Sequence, residues 1–209
     1  MLEINTKTFF YAIIDSVIAI GFVALLLPFM QKRITAEQTE IYDTFLDPDY
    51  ALVKEIHKFS YIEFQHACRV SKLAHVCALA IGVNEKLAAA AGFYYRLGKL
   101  EGEPMIDNAI KIANDHCFPE ELIQILFEYG AIISLPSCPE SAIVHMVDSV
   151  VTKVELFDSD SMTSTWNQNM VIYQTINELS QKGLYDKSNL SMNQFLTIRD
   201  VLTKEDILS

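Results

Sequence analysis

Between Tyr61 and Ile81 the apolar residues Phe64, Ala67, Val70, Leu73, Ala74, Cys77 and Ala78 return at intervals of three and four, and Gly82 ends the run. That spacing lines one face of an α-helix, whereas a strand would put alternate residues on a common face. The same grammar recurs down the chain. "TAEQ" at Thr35 to Gln38 has the form of a capping box, and Asp47-Pro48 offers an N-cap with proline at the first helical position. Asn84 caps a helix that carries "EKLAAAAGFYYRLGKLEG", and further helices are expected over Pro104–Asp115, Pro119–Gly130 and Pro139–Leu156. The last two are Val171–Lys182, stopped by Gly183, and Met192–Leu202, capped by Ser191. "DSDSMTSTWNQN" reads as a polar loop or a ragged helix start. No strand-like alternation competes, so residues 34–209 are expected to form an all-α domain.

The stretch before it obeys a different rule. Thr8 to Met30, "TFFYAIIDSVIAIGFVALLLPFM", is apolar apart from Thr8, Asp15 and Ser16. As a helix it would be about 33–35 Å long, enough to cross a bilayer core. It is too long for the core of a signal peptide, and no small-residue cleavage site follows. Asp15 fits near an interface or against a polar group of another helix. Lys32 and Arg33 follow directly, against Lys7 alone before, which places the C-terminal bulk in the cytoplasm. Residues 1–33 are therefore expected to be a single-pass anchor in the cell inner membrane, with residues 8–30 as the span.

Charge narrows the partners. With 16 basic and 27 acidic residues the net charge is −11, a poor surface for nucleic acid, whose phosphates must be neutralised. A small anion in a local basic pocket is compatible with it. The four cysteines, Cys68, Cys77, Cys117 and Cys138, make no C-x-x-C pair or zinc spacing, and their apolar surroundings predict buried thiols in a reducing compartment. Among the five histidines, His57 and His116 stand near helix ends and are expected to be exposed. His66 and His75, nine residues apart, point to opposite faces of one helix. His145 and Asp148 have the i, i+3 spacing of a metal pair, but Val144, Val147 and Val151 define the apolar face there, and coincidence is the better reading.

"FQHACRVSKLAHVCALAIGVNEKLAAAAGFYYRLGK" resembles the opening of an HD-domain phosphohydrolase, in particular the seven-transmembrane HD type that hydrolyses cyclic di-AMP. His66 in "QHA" matches that family's first histidine. "GFVALLLPFM" resembles its last membrane helix, "LPSCPESAIVHMVDSVVTKVE" the segment with its final metal-binding Asp, which falls on Asp148, and "INELSQKGLYDKSNLSMNQFLTIRD" its C-terminal helices. The resemblance implies an HD-domain-like helical bundle preceded by one transmembrane helix.

The departures from that pattern decide the expected function. Where the family has Tyr-His-Asp-Ile-Gly-Lys, this chain reads "YYRLGK", keeping Tyr94, Leu97, Gly98 and Lys99 but placing Tyr95 and Arg96 at the His-Asp positions. Met105 falls near the third histidine, Glu128-Tyr129 replace a His-His pair, and the passage from Gly130 to Pro139 lacks the family's insertion. Only His66 and Asp148 remain as vestigial ligands, and a pair of hydrolytic metal ions needs more. No cofactor and no catalytic residue is expected. Arg96 is expected to pair with Asp148, and His66 to be hydrogen-bonded. The expected function is that of a membrane-anchored, inactive homologue serving as a regulatory or scaffold protein, its partner an active HD phosphodiesterase or a second copy of itself. One alternative is a pocket of His66, Arg96, Lys99 and Asp148 that binds a nucleotide or other phosphate ligand. The other is a rebuilt phosphodiesterase in which Glu128 joins His66 and Asp148 around Mn or Fe.

Overall fold

The computed structural model describes residues 16–18, 20–26, 40–159 and 167–208. It divides into two units, Met1–Ile41 and Tyr42–Ser209. In the first, residues 16–18 and 20–26 are helical, and Val17, Ile18, Ile20, Phe22, Val23 and Leu25 are exposed. Among the described residues no helix is long and apolar enough to cross a membrane. Most of the expected span 8–30, and the expected capping box at Thr35 to Gln38, lie outside the described residues.

The described residues of the second unit form helices joined by turns, with no strand among them, and residues 42–45 are helical as well. Its helices are α1 (Ala51–Phe59), α2 (Tyr61–Ile81), α3 (Glu85–Tyr94), α4 (Met105–Asp115), α5 (Glu120–Phe127), α6 (Pro139–Ser159), α7 (Gln168–Gln181) and α8 (Met192–Leu202), with short 3₁₀ turns at Leu97–Leu100 and Tyr129–Ala131. Helix α2 is the organiser, packing against α1, α3, α6 and α8. Its limits are chemical. Ser60 Oγ accepts the Glu63 N–H at the start, and Gly82, at φ 74°, takes the left-handed turn that ends it.

Helix α3 runs through the middle of the bundle, and every residue from Leu87 to Tyr94 is buried. That explains its alanines: a helix surrounded on all sides must be thin, so that its neighbours' backbones can approach. Asn84 Oδ1 starts it by accepting from Leu87 N at 3.0 Å. Beyond its end, Gly98 touches backbone: a Cβ there would lie 1.9 Å from the Met105 carbonyl oxygen. Gly98 is thus fixed by the close approach of the α4 start, not by an unusual φ.

Some local expectations change. Asp47 does not cap a helix. Its carboxylate accepts the Asp49 N–H at 2.7 Å and forms a turn, and α1 begins only at Ala51, after Tyr50. Helix α7 starts at Gln168, with Asn167 Oδ1 as its cap, ahead of the expected Val171. Of the thiols only Cys77 is buried, while Cys68 and Cys117 are exposed. Cys68 lies off the α2 face that buries Ala67 and Val70, and Cys117 follows the end of α4 with φ 54°.

Candidate functional site

Three elements meet at Asp148. Helix α6 carries Asp148, Thr152 and Glu155 at i, i+4 and i+7, which sets them on one face. Helix α2 presents Glu63, His66 and Arg69 at intervals of three. The break after α3 delivers Arg96 and, from the 3₁₀ turn, Lys99.

Arg96 Nε donates to Asp148 Oδ1 at 2.7 Å, the pairing expected from the sequence. Its Nη2 donates to Thr152 Oγ1, which in turn donates to the Asp148 carbonyl at 2.6 Å. His66 lies between two carboxylates, Nε2 2.9 Å from Asp148 Oδ1 and Nδ1 2.8 Å from Glu155 Oε2. An ionised carboxylate only accepts, so both ring nitrogens must donate, which requires the doubly protonated imidazolium. Arg69 closes the far end, with Nη1 3.0 Å from Glu155 Oε1 and Nη2 3.3 Å from the Leu208 carbonyl. At the near end Lys99 Nζ donates to Glu63 Oε1 at 2.7 Å, while Arg96 Nη1 stands 4.0 Å from Glu63 Oε2. Signs alternate along the whole chain of contacts.

The titrations follow from this order. Burial pushes the His66 pKa down, but the hydrogen bonds to Asp148 and Glu155 outweigh it and the value rises. For Asp148 burial pushes upward and is outweighed by His66 and Arg96, so its carboxyl falls below the usual range. Glu155 is lowered in the same way: burial pushes it up, and the bonds from His66 and Arg69 prevail.

The remaining positions of interest are spent on packing. Tyr95 is buried, its hydroxyl accepts the Gly130 N–H at 3.0 Å, and its ring lies against Tyr129 with centroids 5.0 Å apart. Glu128 does not reach His66 and Asp148 to form a metal-holding group. Its fully buried carboxylate accepts from Gln124 Nε2 at 2.8 Å, Ser137 N at 3.0 Å and Ser141 Oγ, and so caps the entry to α6. His145 turns to Tyr185, with Nδ1 2.9 Å from the hydroxyl, and does not pair with Asp148. His57 is exposed as expected, whereas His116 is half-buried and 3.2 Å from the Tyr50 hydroxyl.

The structure thus brings together His66, Arg96 and Asp148, and ties Lys99 to them through Glu63. Glu63, Arg69, Thr152 and Glu155 were not singled out in the sequence. Their signal was partial: Glu63 and Arg69 share a helix face with His66, and Thr152 and Glu155 share one with Asp148. The arrangement does not fit a metal centre. Asp148 Oδ1 already accepts from two cationic donors, both His66 nitrogens carry protons, and no group of three His, Cys, Asp or Glu able to hold an ion occurs among the described residues.

The helical bundle that positions these residues is similar in fold to solved HD domains. Two solved structures carry this likeness. One is the HD domain of the phosphodiesterase PgpH from L. monocytogenes in complex with cyclic-di-AMP, with a TM-score of 0.63 at 19% identity, covering 76% of this chain and 97% of that one. A second structure of that HD domain gives 0.63 and 19% over 75% and 97%. At this identity the likeness is one of fold. No protein-family model matches the sequence, and no curated protein matches it.

Proposed function

We propose that this protein is a catalytically inactive HD-domain homologue, anchored in the cell inner membrane through residues 8–30, that works by binding a protein partner from the cytoplasmic side. The observation that supports it is the Arg96–Asp148 pair at 2.7 Å, with His66 held between Asp148 and Glu155. A guanidinium stays charged at any accessible pH, so a cation approaching Asp148 meets a permanent positive charge. Hydrolysis by two metals needs ligands that generate hydroxide and clamp phosphate oxygens. His66 is instead engaged by Asp148 and Glu155, and Asp148 Oδ1 by His66 and Arg96.

A second reading keeps a small ligand, since the similar PgpH HD domain was solved with cyclic-di-AMP. Arg96 and Lys99 are the side chains that would grip its phosphates. Each already faces a carboxylate, so a bound anion would share its cation with the negative charge of Asp148 or Glu63. This weighs against phosphate binding and favours a protein contact.

The test uses the full chain in detergent, incubated with manganese or iron, freed of loose metal, and assayed for bound metal and for hydrolysis of cyclic-di-AMP. Substoichiometric metal and no turnover are expected. Stoichiometric metal lost on His66→Ala, together with turnover, would overturn the proposal and restore the rebuilt-enzyme reading.

A further inference from the structure

Between the end of α7 and the start of α8 the fold leaves a groove with about 370 Å³ of room. Clefts that take small ligands run about 300–1,000 Å³, so this one admits a small organic molecule. None of its lining residues belongs to the charged network around Asp148. Part of the lining is apolar and already held in place. Tyr185 is buried, its hydroxyl lies 2.9 Å from His145 Nδ1, and its ring stands 6.3 Å from that of Phe195. Leu190 and Met192 complete the apolar part.

The remainder is polar, formed by Ser180, Asp186 and Asn189. Their side chains have no hydrogen-bond or ion-pair partner among the described residues. Of the residues that line the groove only Asp186 is charged, and its carboxylate rests against Gly183, where a Cβ would come within 3.0 Å of Oδ2. Lys182 and Lys187 are the nearest cations along the chain, yet neither lines the groove or pairs with Asp186. Helix α7 turns the negative end of its dipole to the groove and α8 the positive end of its own. The two oppose each other, and Asp186 sets the sign.

We propose that this groove binds a small organic amine with an apolar body. Its ammonium donates to the Asp186 carboxylate and to the side-chain oxygens of Asn189 and Ser180, and its body lies on Tyr185, Leu190, Met192 and Phe195. Other ligands leave something unmatched. An anion would meet Asp186 with no cation between them. A neutral hydrophobe would take water from a carboxylate, an amide and a hydroxyl and return no hydrogen bond. A sugar could hydrogen-bond to all three, but a charged donor makes the stronger bond to a carboxylate. The site goes beyond the function proposed above and depends on neither a metal nor a protein partner.

The test is a heteronuclear NMR titration of the isotope-labelled full chain in non-ionic micelles. Phenethylamine is the probe, and phenethyl alcohol is its uncharged counterpart with the same ring. The amine is expected to shift the amides of Tyr185, Asp186, Asn189 and Phe195 to saturation, and the alcohol to bind about fivefold more weakly or less. Asp186→Asn should bring the two probes to within about twofold of each other. Ser180→Phe, which sets a ring into the groove from an exposed position at the end of α7, should abolish binding of both and leave the remaining spectrum folded. Added salt should weaken the amine alone. Absence of saturable shifts at these amides, or shifts that persist in Ser180→Phe, overturns the site. Equal affinity of the alcohol, or a preference for the amine that survives Asp186→Asn, overturns the ammonium–carboxylate contact. Tighter binding of methyl glucoside at the same amides overturns the choice of an amine.

Discussion

Tyr95 and Tyr129 pack ring against ring, with centroids 5.0 Å apart and planes inclined at 58°. These are positions to which the family resemblance assigns metal-binding histidines, and here they form one aromatic contact closed by the Tyr95–Gly130 hydrogen bond.

Repairing the motif should therefore fail. Tyr95→His with Arg96→Asp removes that contact, withdraws the cation beside Asp148 and adds a carboxylate in its place. The double variant is expected to lose about 3–5 kcal/mol of stability, the usual cost of stranding a buried charge, and to gain no metal-dependent phosphodiesterase activity. Denaturant titration and a cyclic-di-AMP assay check it, and hydrolysis by this variant would count directly against the proposed function.

The Arg96–Asp148 pair should show coupling. Arg96→Met alone should cost about 3 kcal/mol, the lower end for a broken buried pair, because both side chains keep some exposure. Combined with Asp148→Leu the loss should fall short of the sum of the single losses by about 1–3 kcal/mol. Strict additivity in urea unfolding would show that the two residues do not act together.

Stability should peak in mildly acidic solution. The His66 pKa is raised above its ordinary 6.5, so its contribution is complete below that value and is lost as pH climbs through the folded-state pKa. Asp148 and Glu155, ordinarily 3.8 and 4.5, are depressed, so their contributions are present above those values and vanish as pH falls through the folded ones. Burial lowers His145 from 6.5, which removes stability as pH drops below that point and steepens the acid limb. Urea midpoints across pH should fall on both sides of a maximum, and His66→Gln should flatten the alkaline limb. An alkaline limb identical in wild type and His66→Gln would refute the imidazolium assignment.

Glu128 separates a cap from a ligand. Glu128→Ala leaves the Ser137 N–H and the Ser141 hydroxyl without their acceptor and should destabilise the domain by about 1–3 kcal/mol. Metal content, measured by elemental analysis after manganese loading, should be the same in variant and wild type. A variant that binds less metal than wild type would place Glu128 in a coordination sphere.

The helices were legible where their signals are local. Asn84 and Ser191 cap the neighbouring backbone as the sequence suggests, Gly82 ends α2, and Ser60, which was not singled out in the sequence, caps its start. Asp47-Pro48 misled because aspartate accepts a backbone N–H in a turn as readily as at a helix start. The first turn of α7 holds Gln168 and Asn169, so apolar periodicity sets in late. The site was half legible. Arg96 and Asp148 came from motif positions, but Glu155 meets His66 across 89 residues and Arg69 across 86, and only the packing of α2 on α6 creates those pairs. A sequence shows which residues share a face, and not which face they will meet.

The guanidinium beside Asp148 is a part of the polypeptide, and that has a consequence for the life of the molecule. A centre that depends on a bound ion must be loaded after synthesis, and a cell always contains some copies that are empty or filled with the wrong metal. A positive charge encoded at position 96 arrives with the chain, at a stoichiometry fixed by translation. Every copy leaves the ribosome with the same charge at the same place, whatever metals surround it.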